Sequence, residues 1–208
     1  MSKKLVTSAQ VESLRTMAIA KGVSREEFQV WLDKYAGLTL DRIKIEAIEA
    51  IAPPGAQLHT FRIRYQSNRN WQEAVNAGAS DTSRENDIMK VGGLYPATGT
   101  TRIVEEYIVL LNYPSNDGSW VKAMVWARWA KLRNTVPREV FALGELYPKL
   151  QHNIQTHDSP VYVVATTGCS FEGRRHACSV WWSDPIRDAQ LMAFPICRDK
   201  NCWYAFRM

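Results

Sequence analysis

Alternation marks the first strand. Between Leu58 and Tyr65, the residues His59, Phe61, Ile63 and Tyr65 fall on one side and Thr60, Arg62 and Arg64 on the other, which is the period of a half-buried β-strand. Residues 101–112 predict a second strand, with Ile103, Tyr107, Val109 and Leu111 on one face. The tail carries four further short apolar or aromatic runs, Val161–Ala165, Ala177–Trp182, Leu191–Ile196 and Trp203–Phe206, separated by polar turns. They predict two hairpins.

Helical spacing dominates ahead of these strands. Residues 7–51 predict three short helices. Their apolar positions are Val11, Leu14, Met17 and Ala18 in the first, Phe28, Val30, Trp31 and Leu32 in the second, and Leu40, Ile43, Ala47, Ile48 and Ile51 in the third. Thr7 with Gln10 and Ser24 with Glu27 have capping-box spacing, and Gly22 and Gly37 stand where the first two helices end. None is long enough to persist alone in water, so the three must share a core.

Within the second part, residues 71–77 predict a short helix ended by Gly78, and residues 79–100 a long loop. Residues 119–132 predict a helix carrying Trp120, Met124, Trp126 and Trp129, and another helix starts at Pro137 and stops near Tyr147. The expected class is α+β: an N-terminal three-helix module, then a mixed domain with a mainly antiparallel sheet and C-terminal hairpins. The run Ala52-Pro53-Pro54-Gly55-Ala56 stops the third helix. It divides a helical docking module (1–52) and a Pro-rich linker (53–57) from an α+β binding domain (58–208).

Composition changes this picture little. Hydrophobic residues make up 46% of 208, enough for a packed core, and eight are Trp. No apolar run is long enough for a signal peptide or a membrane span, so the expectation is a cytoplasmic chain with reduced thiols and no membrane contact. A net charge of +5 admits an acidic partner or nucleic acid without requiring either.

Candidate chemistry gathers at four places. Cys169 and Cys178 flank one predicted hairpin tip, and Cys197 and Cys202 flank the other. If both tips share one sheet end, four thiolates could hold a structural zinc ion, with His176 as a substitute ligand; buried thiols at strand ends are the alternative. The helix at 119–132 interleaves Lys122, Arg128, Lys131 and Arg133 with three Trp residues. That composition suits a single strand of nucleic acid, with cations on the phosphates and rings on the bases; an amphipathic helix that buries its Trp face explains it too. Arg62 and Arg64 from one strand face, and Arg174 and Arg175 from a turn, are further phosphate-binding candidates. A solvated strand face and an exposed turn explain these equally.

Catalytic constellations are poor. His152 and His157 do not have the helical spacing of a zinc protease, and the adjacent Glu105 and Glu106 must face opposite ways in a strand. There is no P-loop, no G-x-G-x-x-G and no G-x-S-x-G.

The segment Leu5-Val-Thr-Ser-Ala-Gln10-Val-Glu-Ser-Leu14, with Gly22-Val-Ser24-Arg-Glu-Glu27 and Leu38-Thr-Leu40, resembles the small helical module appended to phage recombination and single-strand annealing proteins. The resemblance implies a phage or mobile-element setting and a docking role. Residues 58–208 are similar in layout to bacterial and phage proteins in which a helix like Val136-Pro-Arg-Glu-Val140-Phe-Ala-Leu precedes aromatic strands, and to compact C-type-lectin-like domains. Neither likeness supplies a catalytic residue.

The resulting expectation is a non-enzymatic binding protein. It would contact nucleic acid or a nucleoprotein complex through Arg62, Arg64, Lys122, Arg128, Arg174 and Arg175, and a protein partner through residues 7–51. A protein–protein module that sequesters a host factor, and a zinc-dependent or acid–base enzyme, are the alternatives.

Overall fold

The computed structural model describes residues 15–16, 22–24, 26–30, 40–79, 87–97, 102–115, 118–154, 160–194 and 200–208. The chain divides into two compact units, Met1–Ile51 and Ala52–Met208.

In the first unit, residues 26–30 are helical and helix α1 spans Leu40–Glu49. The Ser24–Glu27 capping box is present: the Glu27 N–H donates to Ser24 Oγ at 3.2 Å, and the Ser24 N–H donates to Glu27 Oε2 at 2.8 Å. Phe28 and Ile48 are buried, whereas Val30, expected in the core, is 70% exposed. The Thr7–Gln10 box, Gly37 and most of the first expected helix lie outside the described residues.

The second unit is α+β. Its strands are β1 (Gln57–Gln66), β2 (Ile103–Asn112), β3 (Arg133–Asn134), β4 (Val161–Phe171), β5 (Arg174–Ser183), β6 (Ile186–Ala193) and β7 (Cys202–Arg207). Its helices are α2 (Trp71–Gly78), α3 (Trp120–Trp129), α4 (Pro137–Leu146) and the short α5 (Leu150–Asn153). The seven strands form one mixed sheet in the order β1-β2-β7-β4-β5-β6, with β3 pairing β7 off that path. All pairings are antiparallel except β4 with β7. No helix among the described residues is long and apolar enough to cross a membrane.

Of the two expected hairpins, the first is present as β4 with β5, whereas the last two runs do not pair with each other. The first expected loop is strand almost to its tip: Ser170 pairs Arg175 and Phe171 pairs Arg174. Only Glu172 (φ 49°) and Gly173 (φ 73°) turn the chain, two left-handed residues in a two-residue hairpin connection. β6 begins at Ile186 and makes a second hairpin with β5. β7 then leaves that ribbon and enters the middle of the sheet, between β2 and β4.

Where β4 bulges between Val164 and Gly168, β3 takes over the edge of β7. Thr135 and Thr166 seal the junction, both hydroxyls donating to the Ala205 carbonyl at 2.8 and 2.7 Å. The Asn112 amide donates to the carbonyls of Lys200 and Cys202, both at 2.7 Å, fixing the entry of β7. Buried polar groups need such partners, and here the partners also set the strand order.

One sheet face holds the main core, including Phe61, Ile63, Ile108, Leu110, Val163, Val180, Trp182 and Trp203, covered by α2, α4 and α5. α4 carries Pro at its first turn, and residues 137–144 are all buried. α2 and α4 cross so closely that a Cβ on Gly144 would sit on the Gly78 carbonyl oxygen. The other face carries α3, packed over β7.

Candidate docking face on α3

Helix α3 reads Trp-Val-Lys-Ala-Met-Val-Trp-Ala-Arg-Trp, apolar on nearly every side. Ser119 caps it, accepting the Lys122 N–H at 3.2 Å. Trp120, Ala123, Trp126 and Ala127 are buried. Trp120 meets Phe194 edge-on at 4.9 Å between ring centroids and Tyr204 at 6.2 Å, and Trp126 meets Phe206 at 6.2 Å. These contacts fix the rotation of the helix on β7.

That rotation leaves Val121, Val125 and Trp129 outermost, 68%, 65% and 66% exposed. Their spacing of four places them in one row along the helix. The row spans about 12 Å at 1.5 Å per residue, and a concave apolar surface runs along each of its flanks. One, of about 640 Å³, includes Trp120, Met124, Leu132, Arg128, Lys131 and Arg175 among its lining residues. The other, of about 510 Å³, is lined by residues including Tyr113, Pro53, Pro54, Trp126 and Lys122. Among the described residues, no carboxylate lines either hollow. Arg175 lies over the Phe194 ring at 4.6 Å, which holds its guanidinium beside the row.

The helix ends unusually. Leu132 N–H donates to the Ala127 carbonyl at 2.8 Å and Lys131 N–H to the Arg128 carbonyl at 3.2 Å, the Schellman pattern. Its turning residue is Lys131, at φ 58°. Glycine takes this position without strain, whereas a residue with a Cβ costs about 1 kcal/mol.

The candidate residues are partly brought together. Lys122, Arg128 and Arg175 line the α3 hollows. Arg174 points to the opposite sheet face by strand alternation. Arg62 donates to Glu105, and Arg64 Nε lies 3.6 Å from the same carboxylate, so one acid answers two of the six cations. Trp120 and Trp126, expected as stacking rings, are buried. Among the described residues, Arg128, Lys131 and Arg175 form no ion pair.

The three described thiols do not converge. Cys169 pairs His176 and packs against the core face that holds Cys178. Cys202 pairs Tyr162, at the other end of β4, roughly 20 Å away at 3.3 Å per residue. The cause is the placement of β7 beside β4 rather than beside β6. Cys197 lies outside the described residues, and among those described no three of His, Cys, Asp and Glu are placed to hold a metal ion. Burial pushes the Cys178 thiol well above its ordinary pKa, and Cys169 adds to the shift.

A buried acid also reads as structure. Glu139 is fully buried and its pKa is raised by burial. It accepts the Val136 N–H at 2.8 Å and Arg207 Nη1 at 2.9 Å, with the Tyr65 hydroxyl at 3.5 Å. Its neighbour Arg138 donates to the carbonyls of Arg69, Asn70 and Tyr95. The adjoining void is about 10 Å³, too small for a substrate. Both oxygens are already engaged, Oε2 at the start of α4 and Oε1 with Arg207 and Tyr65.

The chain matches no protein-family model, no curated protein and no solved structure, so the site rests on its own geometry. Val121 and Val125 are the members that the sequence reading missed. Their signal was present as a second apolar row, Val121, Val125 and Trp129, out of phase with Trp120, Ala123, Trp126 and Ala127.

Proposed function

We propose that the chain is a non-enzymatic binding module that docks a protein partner on the outer face of α3. The carrying observation is the exposed row of Val121, Val125 and Trp129 on a helix whose opposite side is locked to β7. A surface helix in a globular protein normally turns polar residues outward. A contiguous apolar row with hollows on both flanks suits a partner that fills them.

Nucleic acid suits this face less well. Bases stack on rings, and two of the three outermost side chains are valines. Glu105 engages Arg62 and Arg64, and Arg174 is on the other face, so three of the six candidate cations are paired or point away from this face.

Covering the row removes three large side chains from water, each contributing about 1–2 kcal/mol. Two changes test the reading with the full chain, Val125→Asp and Trp129→Ala. Labelled amphipathic helical peptides of acidic, neutral and basic type, and single-stranded oligonucleotides, are titrated by anisotropy. Saturable peptide binding that both changes abolish, with unaltered thermal unfolding, supports the proposal. Binding of oligonucleotides alone, or peptide binding indifferent to both changes, overturns it.

A further inference from the structure

We infer that the partner docked on α3 is a second copy of this chain, packed α3 against α3 in opposite directions about a twofold axis at Val125. This rests on the docking reading above and names the occupant. The row suits a partner helix that itself exposes apolar side chains at i, i+4 and i+8. α3 is such a helix. Val121, Val125 and Trp129 are outermost, and the rings of Phe194, Tyr204 and Phe206 hold its other side, so the row is presented without rearrangement.

The sizes along the row complement themselves. With the two helices antiparallel, Val125 meets the partner's Val125, and Trp129 comes level with the partner's Val121 at each end, as a self-complementary interface requires. A bulky ring thus faces a small side chain twice. Val121 is part of the lining of both hollows, so the incoming indole enters a concavity. In the hollow of about 510 Å³, Pro53, Pro54 and Tyr113 form the wall beside Val121, flat surfaces of the kind on which an indole packs. A parallel pair would set Trp129 against Trp129 and leave the Val121 end underfilled.

Area and charge set the strength. Two valines and a tryptophan, each about two-thirds exposed, present on the order of 400 Å² per copy. With one hollow wall from each copy the pair reaches roughly 1,000 Å², the lower bound of a specific interface. The dimer is therefore weak, with a dissociation constant of roughly tens to hundreds of micromolar. Arg128 stands three residues from the axis, so the two Arg128 positions lie about 9 Å apart along the seam, close to the Debye length. Salt screens that repulsion and tightens the pair, whereas it would release a helix recruited by opposite charge.

The full chain is sedimented at roughly 5 to 500 µM, which brackets that range. A monomer–dimer equilibrium is expected. It should weaken at least about tenfold in Val125→Asp and in Trp129→Ala, since each change acts twice in the pair, and tighten from about 0.05 to 0.5 M salt. Single cysteines read the register. Under mild oxidation Val125→Cys is expected to give a covalent dimer, and Leu146→Cys, exposed on α4, is not. Val121→Cys mixed with Trp129→Cys should link more than either alone.

A chain that stays monomeric throughout, while helical peptides still bind the row, overturns the second copy and leaves docking intact. A monomeric chain that binds no peptide overturns both. A dimer indifferent to Val125→Asp, or one in which Val125→Cys links no faster than Leu146→Cys, pairs through another surface and overturns the inference.

Discussion

Two helices lie on opposite faces of one sheet, and both are rich in apolar residues. α4 buries eight consecutive residues, Pro137 to Gly144, between the sheet and α2. α3 buries four and turns Val121, Val125 and Trp129 to the outside. The charged residues differ in the same sense. Arg138 and Glu139 of α4 are buried and hydrogen-bonded to backbone groups and to Arg207. Arg128 of α3 is exposed, in a hollow lined by no acid among the described residues. Apolar content alone therefore does not separate a core helix from a docking helix. The direction in which it points, and whether the accompanying charges are answered within the fold, do separate them.

The contrast is most sharply broken on the α4 side. Gly144→Val places a branched side chain on the Gly78 carbonyl and forces α2 and α4 apart. The cost is about 3 kcal/mol or more, read as a drop in denaturant midpoint at unchanged slope. Glu139→Ala leaves Arg207 and the Val136 N–H without their partner, at about 3 kcal/mol.

Glu139→Gln reports the same acid through pH. Because its folded pKa is raised, ionised Glu139 disfavours the fold, and stability falls as pH rises from the ordinary carboxylate range through the raised value. The Gln variant should lack that part of the decline in urea melts taken across pH.

On the α3 side, Val125→Asp should change stability by less than about 0.5 kcal/mol, because the site is open to water, while removing partner binding. Equal destabilisation by Val125→Asp and Glu139→Ala would erase the distinction between the two helices. The smallest expected effect is at His59, which sits against Trp203 at 5.4 Å with its pKa lowered by burial. Its contribution is present above the ordinary imidazole range and fades as pH falls through the lowered value, so His59→Phe should flatten that part of the acid limb.

Local period carried the reading of most elements. Gln57–Gln66, Trp71–Gly78, Ile103–Asn112 and Pro137–Leu146 lie where alternation, caps and Pro137 place them. Strand neighbours were not legible, because period reports which residues share a face and not which strand lies alongside. Consecutive strands usually pair, and β7 departs from that tendency. Its departure also separates Cys202 from Cys169.

At the site, the basic and aromatic residues of α3 were visible but their directions were not. An apolar pattern on nearly every side fixes no phase, and only the rings of Phe194, Tyr204 and Phe206 choose which Trp goes in. The pairing of Arg62 with Glu105 crosses 43 positions of chain, a range at which composition says nothing about partners.

The central strand of this sheet is also the latest in sequence. Before residues 202–207 are in place, β1–β2 and β4–β5–β6 are two separate ribbons, and the inner edges of β2 and β4 are open. Each such edge is a template for another chain. A chain in which β7 has not docked thus leaves both edges waiting for one short segment, and non-local closure of that kind is slow. Chains shortened before Cys202 should aggregate, and adding the missing segment as a peptide should restore solubility.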